Sequence, residues 1–448
     1  MTNLSKTTPQ MWLNFESLPT DAITLSGDQI TQAVELSSKI KNSSQQWQTY
    51  IHALALCAFE EWLASRAISL IINRERCTTF QPALAKAIAA VANLQVGKFK
   101  VCLITTGSLT DDQIYLPQAV VDLPEYIAHF YVLVEVLEEE DIAMISGFLS
   151  YQQLKEHQTT VNFQSSADWN YQIPVSLFEN NLDRLLLYLR CLEPETIALP
   201  AKSENTQILS TIQNDLLTLL PQLRSPGTEL WQVLTWEEGK VVLTHPELLN
   251  WMDNLQQQTH TSSVNDSLKD LLKLLTEPAL NVGRWLWDEL DELAEEFSWR
   301  LLPSLTPTAA MRSPTEEFPA IINQLQQRGL EIPAVARGAY QDFLLTAIPL
   351  RLYAVTWHLL AESEPNLWTL LLVLGTASHT GLPADLKLRV SDQTGVLVER
   401  GINPQQGDSY LFTRVVGNWD EKFLVSVSLT DGVEVNLPPF TFSPRRSV

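Results

Sequence analysis

The spacing of apolar residues predicts that the first part of the chain is helical. Five apolar residues recur at steps of four, three, four and four, so they share one helix face: Trp47, Ile51, Leu54, Ala58 and Trp62. A second helix is predicted over residues 82–92, because Pro82 suits the first helical turn, where no N–H donor is needed. Residues 1–92 are therefore predicted to form an N-terminal helical segment.

From residue 93 the pattern changes to one that is typical of strands. Between residues 96 and 105, two lysines alternate with Phe99 and Val101, which is the period of a half-buried strand. Further strands are predicted at residues 114–121, 128–137, 143–149 and 171–175. Short strands in close succession predict a small antiparallel β-barrel or sheet over residues 93–177.

Helical periodicity returns after residue 177. Leucine-rich stripes predict helices at residues 182–192, 207–220 and 265–275. Two polar segments, residues 200–205 and 256–266, are predicted to be linkers, and the second is rich in Gln, Thr and Ser and is expected to be mobile. Residues 178–335 are therefore predicted to form a helical domain.

The last part of the chain again has the pattern of short strands separated by turn signals. Strands are predicted at residues 350–360, 367–374, 386–390, 396–400, 409–416, 422–429 and 433–437. The step Asp431–Gly432 is the strongest hairpin signal in the chain. Seven short strands with turn signals between them predict a β-sandwich over residues 336–448. The predicted fold class is therefore α+β and multidomain.

Acidic residues outnumber basic ones, and the excess is unevenly distributed. The chain has 30 Lys+Arg and 52 Asp+Glu among 448 residues, for a formal net charge of −22. Such an acidic surface repels nucleic-acid phosphates and anionic membranes, so neither is expected as a direct partner. Residues 161–310 alone carry 9 basic and 21 acidic residues. The predicted helical domain is therefore the acidic part of the protein.

Motifs for catalysis, cofactors or metals are absent from the sequence. No Gly-rich phosphate loop, HExxH or GxSxG motif occurs, and the seven histidines are scattered. Ser378 and His379 are adjacent, but we interpret them as a polar turn and not as part of a triad. The four cysteines form no CxxC pair and are expected to be buried, reduced thiols. We therefore predict no cofactor and no metal, and the absence of a signal peptide or a long apolar run predicts a cytoplasmic protein.

Two further features are interpreted as structural. His129 follows the strand alternation beside Phe130 and is expected to be a buried histidine with a satisfied hydrogen bond. The acidic run at residues 138–141 lacks the stagger and the glycine of a calcium loop, so a solvated turn is expected there.

One segment is a candidate binding surface. Over residues 284–300, a helical reading places an apolar stripe on one side and carboxylates on the other. The same reading places two tryptophans on the acidic side, where exposed indoles are typical of binding hot spots. The candidate residues for binding a basic partner are Trp285, Trp299, Asp288, Glu292, Glu295 and Glu296. The alternative is an amphipathic helix with a merely solvated face.

Several motifs resemble the cyanobacterial family catalogued as domain of unknown function 1822. They are Trp62-Leu63-Ala64-Ser65-Arg66, residues 96–104, residues 128–137, residues 147–151, Arg284-Trp285-Leu286 and the sandwich signature of residues 382–395. The resemblance extends from about residue 12 to about residue 442 and carries no catalytic residue. It implies a context near alternative sigma factors and caspase-like peptidases of the CHAT type.

Together these features favour a non-enzymatic regulatory adaptor that binds a basic protein such as a sigma factor. A second hypothesis is a substrate or target of a CHAT-type caspase-like peptidase, cut within residues 256–266. A third is a hydrolase whose site follows no recognised motif.

Overall fold

The protein folds into two compact units in the computed structural model. The structure describes residues 21–66, 70–107, 112–161, 163–201, 206–225, 227–257, 264–303, 317–361, 364–376, 381–402, 410–419, 421–430 and 432–443. The first unit comprises Met1–Glu204 and Ser225–Leu249, and the second comprises Asn205–Arg224 and Asn250–Val448. Each unit is therefore built from two separate stretches of chain.

Helices and strands are both abundant, as the α+β prediction requires. The α-helices of the described residues are α1 (Gly27–Ser37), α2 (Ser43–Ser65), α3 (Pro82–Ala87), α4 (Gln118–Asp122), α5 (Tyr151–Val161), α6 (Leu182–Cys191), α7 (Thr206–Leu223), α8 (Leu230–Val233), α9 (Trp236–Thr244), α10 (Pro246–Gln257), α11 (Val264–Thr276), α12 (Glu292–Glu296) and α13 (Glu317–Gln327). The strands are β1 (Ile23–Thr24), β2 (Ile72–Asn73), β3 (Val91–Val96), β4 (Phe99–Thr106), β5 (Gln113–Pro117), β6 (Phe130–Leu137), β7 (Ile142–Ser150), β8 (Asn170–Pro174), β9 (Leu280–Asn281), β10 (Arg300–Leu301), β11 (Arg337–Leu345), β12 (Ile348–Ala361), β13 (Glu364–Thr376), β14 (Leu386–Asp392), β15 (Gly395–Gly401), β16 (Leu411–Asn418), β17 (Leu424–Leu429), β18 (Glu434–Asn436) and β19 (Phe440–Thr441).

A six-stranded sheet is the centre of the first unit. Its strand order is β1-β7-β6-β4-β3-β2, and it forms a half-barrel. All neighbours are antiparallel except β4 and β6, which run parallel. Strands β5 and β8 form a separate antiparallel pair. The predicted small sheet is thus confirmed, with one parallel pairing that the alternation pattern could not show.

Helix α2 packs on one face of this sheet. Asn42 caps its start by accepting hydrogen bonds from the backbone N–H groups of Ser44 and Gln45. Most residues from Ala53 to Leu63 are buried, whereas Trp47, at the other end of the predicted apolar face, is 52% exposed. Residues of α2, of the sheet and of α6 form one hydrophobic core. That core continues across the predicted boundary between residues 92 and 93.

Three predicted elements of the first unit differ in the structure. The strand predicted over residues 96–105 begins only at Phe99 as β4, because Gly97 adopts a φ of +58° and turns the chain between β3 and β4. The strand predicted over residues 114–121 ends at Pro117, where α4 follows. The helix predicted over residues 82–92 begins at Pro82 as expected but ends at Ala87.

The predicted leucine-rich helices are confirmed as α6, α7 and α11. Helix α9 and helix α10 were not predicted. The predicted linker at residues 256–266 begins inside α10 and ends inside α11, and its residues 258–263 lie outside the described residues, as do residues 202–205 of the other linker. Within the ranges that the structure describes, no helix is both long and apolar enough to cross a membrane.

The second unit contains the predicted β-sandwich. One sheet has the order β10-β11-β12-β13-β16 and the other the order β15-β14-β17-β18, and all neighbours within each sheet are antiparallel. Side chains from both sheets share one core. The opposite face of β12 and β13 packs against α13. Each of the seven predicted strands overlaps an observed strand, and β11 is an additional one.

A late segment of the chain completes the core of the second unit. Strand β19 pairs in parallel with β9. The Asn281 side-chain oxygen accepts hydrogen bonds from the backbone N–H groups of Gly283 (3.1 Å) and Ser443 (2.9 Å). A Cβ atom on Gly283 would lie 2.8 Å from the carbonyl carbon of Ser443, so only glycine fits there.

Candidate functional site

The predicted helix over residues 284–300 is wrong. The chain instead forms a 3-10 turn (Val282–Trp287), then places Asp288 in the left-handed region with a φ of +56°, and only then forms the short helix α12. The Asp291 carboxylate caps α12 by accepting from Ala294 N–H (2.8 Å) and also accepts from Asn281 N–H (2.7 Å). Local side-chain hydrogen bonding of this kind competes with a continuous helix.

The prediction that Trp285 and Trp299 lie exposed on an acidic face is also wrong. Trp285 is 0% exposed and Trp299 is 3% exposed, and their ring centroids are 5.5 Å apart. Trp299 also packs edge-on against Phe440 at 5.6 Å. The predicted positions of the two tryptophans were wrong because the prediction assumed one unbroken helix over residues 284–300. The exposed aromatic residues of this segment are Trp287 (54%) and Phe297 (39%).

The acidic candidates are solvated. Glu292, Glu295 and Glu296 are exposed. Asp288 is also exposed and forms an ion pair of 3.3 Å with Arg337. Without the two indoles, these carboxylates match the alternative of a solvated face, and their role in binding a partner stays a prediction.

Most of the histidine, acidic and cysteine groups that the sequence analysis considered have structural roles. His129 Nδ1 accepts a hydrogen bond from Lys100 N–H at 2.8 Å, and residues 138–141 form an exposed turn. Cys57, Cys77 and Cys102 are buried as predicted, whereas Cys191 is exposed, so the prediction was wrong for that thiol. Ser378 and His379 lie outside the described residues. Among the residues whose placement is described, no group of three His, Cys, Asp or Glu side chains could hold a metal ion.

A pocket in the first unit is the best candidate site. Its volume is about 150 Å³. It is lined by residues from α3, from the junction of β5 and α4, from the turn before β8, and from α8 and α9: Lys86, Ala87, Ala89, Pro117, Ala119, Asp168, Trp169, Asn170, Glu229, Leu230, Trp231, Trp236 and Leu243. Three indoles and two carboxylates therefore meet in one small concavity.

The turn before β8 holds Trp169 in an uncommon backbone conformation. Trp169 has a φ of +60°, which is rare for a bulky residue and is found where the surroundings enforce it. Its carbonyl accepts a hydrogen bond from Gln118 N–H at 2.8 Å, and its N–H donates to the Ser166 carbonyl at 3.2 Å. These backbone hydrogen bonds hold Trp169 in the position where its buried indole lines the pocket.

Helix α9 supplies the second wall. Its N-cap, Thr235, accepts a hydrogen bond from Glu238 N–H, which fixes the start of the helix next to Trp236. The rings of Trp169 and Trp236 are 5.5 Å apart in an edge-to-face arrangement. A Cβ atom on Gly239 would lie 2.6 Å from Cζ2 of Trp169, so the glycine makes room for that ring.

The charged groups of the pocket are held by hydrogen bonds. Burial alone would raise the pKa of Asp168, but hydrogen bonds from Ser166 and Asn170 outweigh it and lower the pKa below its usual range. The Glu229 carboxylate accepts a hydrogen bond from the Trp231 indole N–H. Lys86 contributes the one basic group of the lining. The lining therefore contains two carboxylates and one ammonium group.

The size of the pocket limits what it can hold. Pockets for drug-sized ligands and cofactors occupy about 300–1,000 Å³. A cavity of about 150 Å³ takes a group of roughly the size of benzene. The pocket therefore has room for one amino-acid side chain or a similar small group, and not for a nucleotide.

Sequence reasoning missed this site because its residues come from four distant segments. One signal was available in Gly239, since a glycine inside a helix costs about 1 kcal/mol relative to alanine and usually has a packing reason. A second signal was the occurrence of Trp231 and Trp236 within two residues of a glutamate in the most acidic part of the chain.

The chain belongs to the family described as protein of unknown function (DUF1822), whose model matches residues 23–437. This match confirms the resemblance seen in the sequence motifs. A comparison with curated proteins found no match.

Proposed function

We propose that this protein is a non-enzymatic interaction protein of a bacterial regulatory system, and that it anchors its partner by one side chain in the pocket of the first unit. The single observation that carries the proposal is a pocket of side-chain size walled by Trp169, Trp231 and Trp236. Tryptophan is among the residues most enriched in binding hot spots, which are typically well-packed pockets that exclude water.

The lining argues against a hydrolase that uses a serine or cysteine nucleophile. None of the lining residues is a histidine, a serine or a cysteine, so the pocket contains no nucleophile paired with a histidine base. Ser166 lies next to the pocket, but its hydroxyl donates to the Asp168 carboxylate as part of the turn that holds Trp169. The polar groups of the site thus support its shape.

Capture of the partner from the native host tests this proposal. Tagged wild-type protein, Trp231→Ala and Trp47→Ala are each purified from the host, and co-purifying proteins are quantified by mass spectrometry. Trp47 is the matched control, because it is a half-exposed indole of the same unit outside the pocket. We expect one partner to be recovered with wild type and Trp47→Ala and to fall at least about tenfold with Trp231→Ala, which corresponds to about 1.4 kcal/mol.

Equal recovery with all three proteins would show that the pocket is not the anchor. The identity of the recovered protein separates the two partner classes. A sigma factor would support the regulatory adaptor, whereas a CHAT-type caspase-like peptidase would favour the second hypothesis. Intact mass of the chain after co-expression with that peptidase then shows whether it is a substrate or only a target.

A further inference from the structure

The geometry of the pocket points to an organic cation as its ligand, namely the guanidinium or ammonium head of a basic side chain. This inference rests on the proposed function and names the chemistry of the anchor. Three properties of the pocket carry it: the aromatic walls, the balance of charge and the size.

The aromatic walls favour a cation over a neutral group of the same size. Each indole has a negative face, and a cation within about 6 Å of the ring centroid is attracted to it. In the edge-to-face arrangement of Trp169 and Trp236, the edge of one ring meets the face of the other. Trp231 adds a third indole, and its N–H is engaged by Glu229. The indole N–H therefore does not serve as a donor for an anionic ligand.

The charge balance disfavours anionic ligands. Asp168 and Glu229 together outnumber Lys86, so the lining is net negative when all three groups are ionised. The hydrogen bonds from Ser166 and Asn170 that lower the pKa of Asp168 keep this carboxylate ionised at neutral pH. A phosphate or carboxylate ligand would face like charges in a partly desolvated site, which is unfavourable.

The size and the chemistry of the pocket together favour the charged group at the end of a basic side chain. A pocket of about 150 Å³ holds one such head with part of its stem. A guanidinium can stack on an indole face and donate to a carboxylate at the same time, whereas an ammonium acts as a point charge. The overall charge of −22 would favour the approach of a basic partner at long range.

Isothermal titration calorimetry with small probes tests the inference. The probes are the acetylated amides of arginine, lysine and citrulline, and citrulline is the neutral counterpart of arginine. We expect arginine amide and lysine amide to bind and citrulline amide to bind at least about tenfold more weakly, because it lacks the charge that the indoles and carboxylates recognise. The ratio of arginine to lysine then shows which head is preferred.

Two substitutions that change the charge of the pocket lining in opposite directions provide a second test. Asp168→Asn should weaken arginine amide by about fivefold, and Lys86→Gln should tighten it by about threefold, since the first removes an attractive charge and the second a repulsive one. Glu139→Gln is the control, because it removes an exposed carboxylate of the same unit that is not in the lining. Thermal unfolding of each variant confirms that it is folded.

Three results would overturn the inference: equal binding of arginine and citrulline amides, absence of binding by both cations, or weaker binding after Lys86→Gln. Failure of the proposed function and failure of this inference can be distinguished by comparing partner recovery with cation binding. If partner recovery depends on Trp231 but no cation binds, the pocket anchors a neutral side chain. If cations bind but recovery is independent of Trp231, the pocket serves a small-molecule ligand.

Discussion

A buried histidine makes the stability of the first unit depend on pH. His52 lies in α2 and is 2% exposed. Its Nε2 lies 3.1 Å from the side-chain nitrogen of Gln48, which also donates to the Thr105 hydroxyl at 3.3 Å. Burial lowers the pKa of His52 from 6.5 to about 4. The native state therefore keeps this ring neutral under conditions in which the unfolded chain protonates it.

The sign and size of the effect follow from this pKa. Because the pKa in the folded state is below that of the unfolded state, the contribution of His52 to stability is fully present above pH 6.5 and is lost as the pH falls through about 4. The whole difference corresponds to about 3 kcal/mol. Between pH 7.5 and pH 5.5 about 1.3 kcal/mol is lost.

His52→Gln isolates this contribution, since glutamine can still hydrogen-bond to Gln48 but does not titrate. The assay is urea unfolding at pH 7.5 and 5.5, which stays above the sequence pI of about 4.7. Pulse labelling of Cys57, Cys77 and Cys102 reports the first unit alone, because all three thiols are buried in it. We expect the wild type to lose about 1.3 kcal/mol more than the variant. An identical loss in both proteins would refute the reasoning.

Three further predictions concern the pocket, the corrected segment and the thiols. Gly239→Ala should displace the Trp169 ring and weaken arginine amide in calorimetry while the protein stays folded; unchanged affinity would contradict the packing argument. Trp285→Ala should lower the free energy of unfolding by about 3–5 kcal/mol and Glu296→Lys by less than about 0.5 kcal/mol in urea titrations, because only the indole is buried. Cys191 should react with a thiol reagent in the native protein and the other three thiols only after denaturation; four fast thiols would show that the first unit is open.

Most of the C-terminal sandwich could be predicted because its strands either alternate buried and exposed side chains, as β16 does, or are short apolar runs, as in β13. The strand β11 could not, because a polar residue occupies one of its inward positions. Gln341 is buried there and donates to the Phe297 carbonyl at 2.8 Å. This position therefore carries a polar side chain with a long-range hydrogen bond where the strand pattern requires an apolar residue. The hydrogen-bond partner is 44 positions away in sequence.

The site could not be predicted for two different reasons. In residues 284–300, periodicity predicted one continuous helix but could not show that a left-handed backbone at Asp288 ends the first turn. In the pocket, the lining comes from residues as distant as Lys86 and Leu243, and no local pattern connects them. Local periodicity indicates which residues of one element are buried, but it does not indicate which elements pack against each other.

The pairing of β9 with β19 sets an order of events during synthesis of the protein. Asn281 leaves the ribosome 162 residues before its hydrogen-bond partner Ser443. At typical rates of about 5–20 residues per second, this separation corresponds to roughly 8–30 s. Trp299 leaves the ribosome after Asn281 and lacks its edge-on contact to Phe440 until near the end of that interval. The core of the second unit is therefore incomplete until Ser443 has been synthesised.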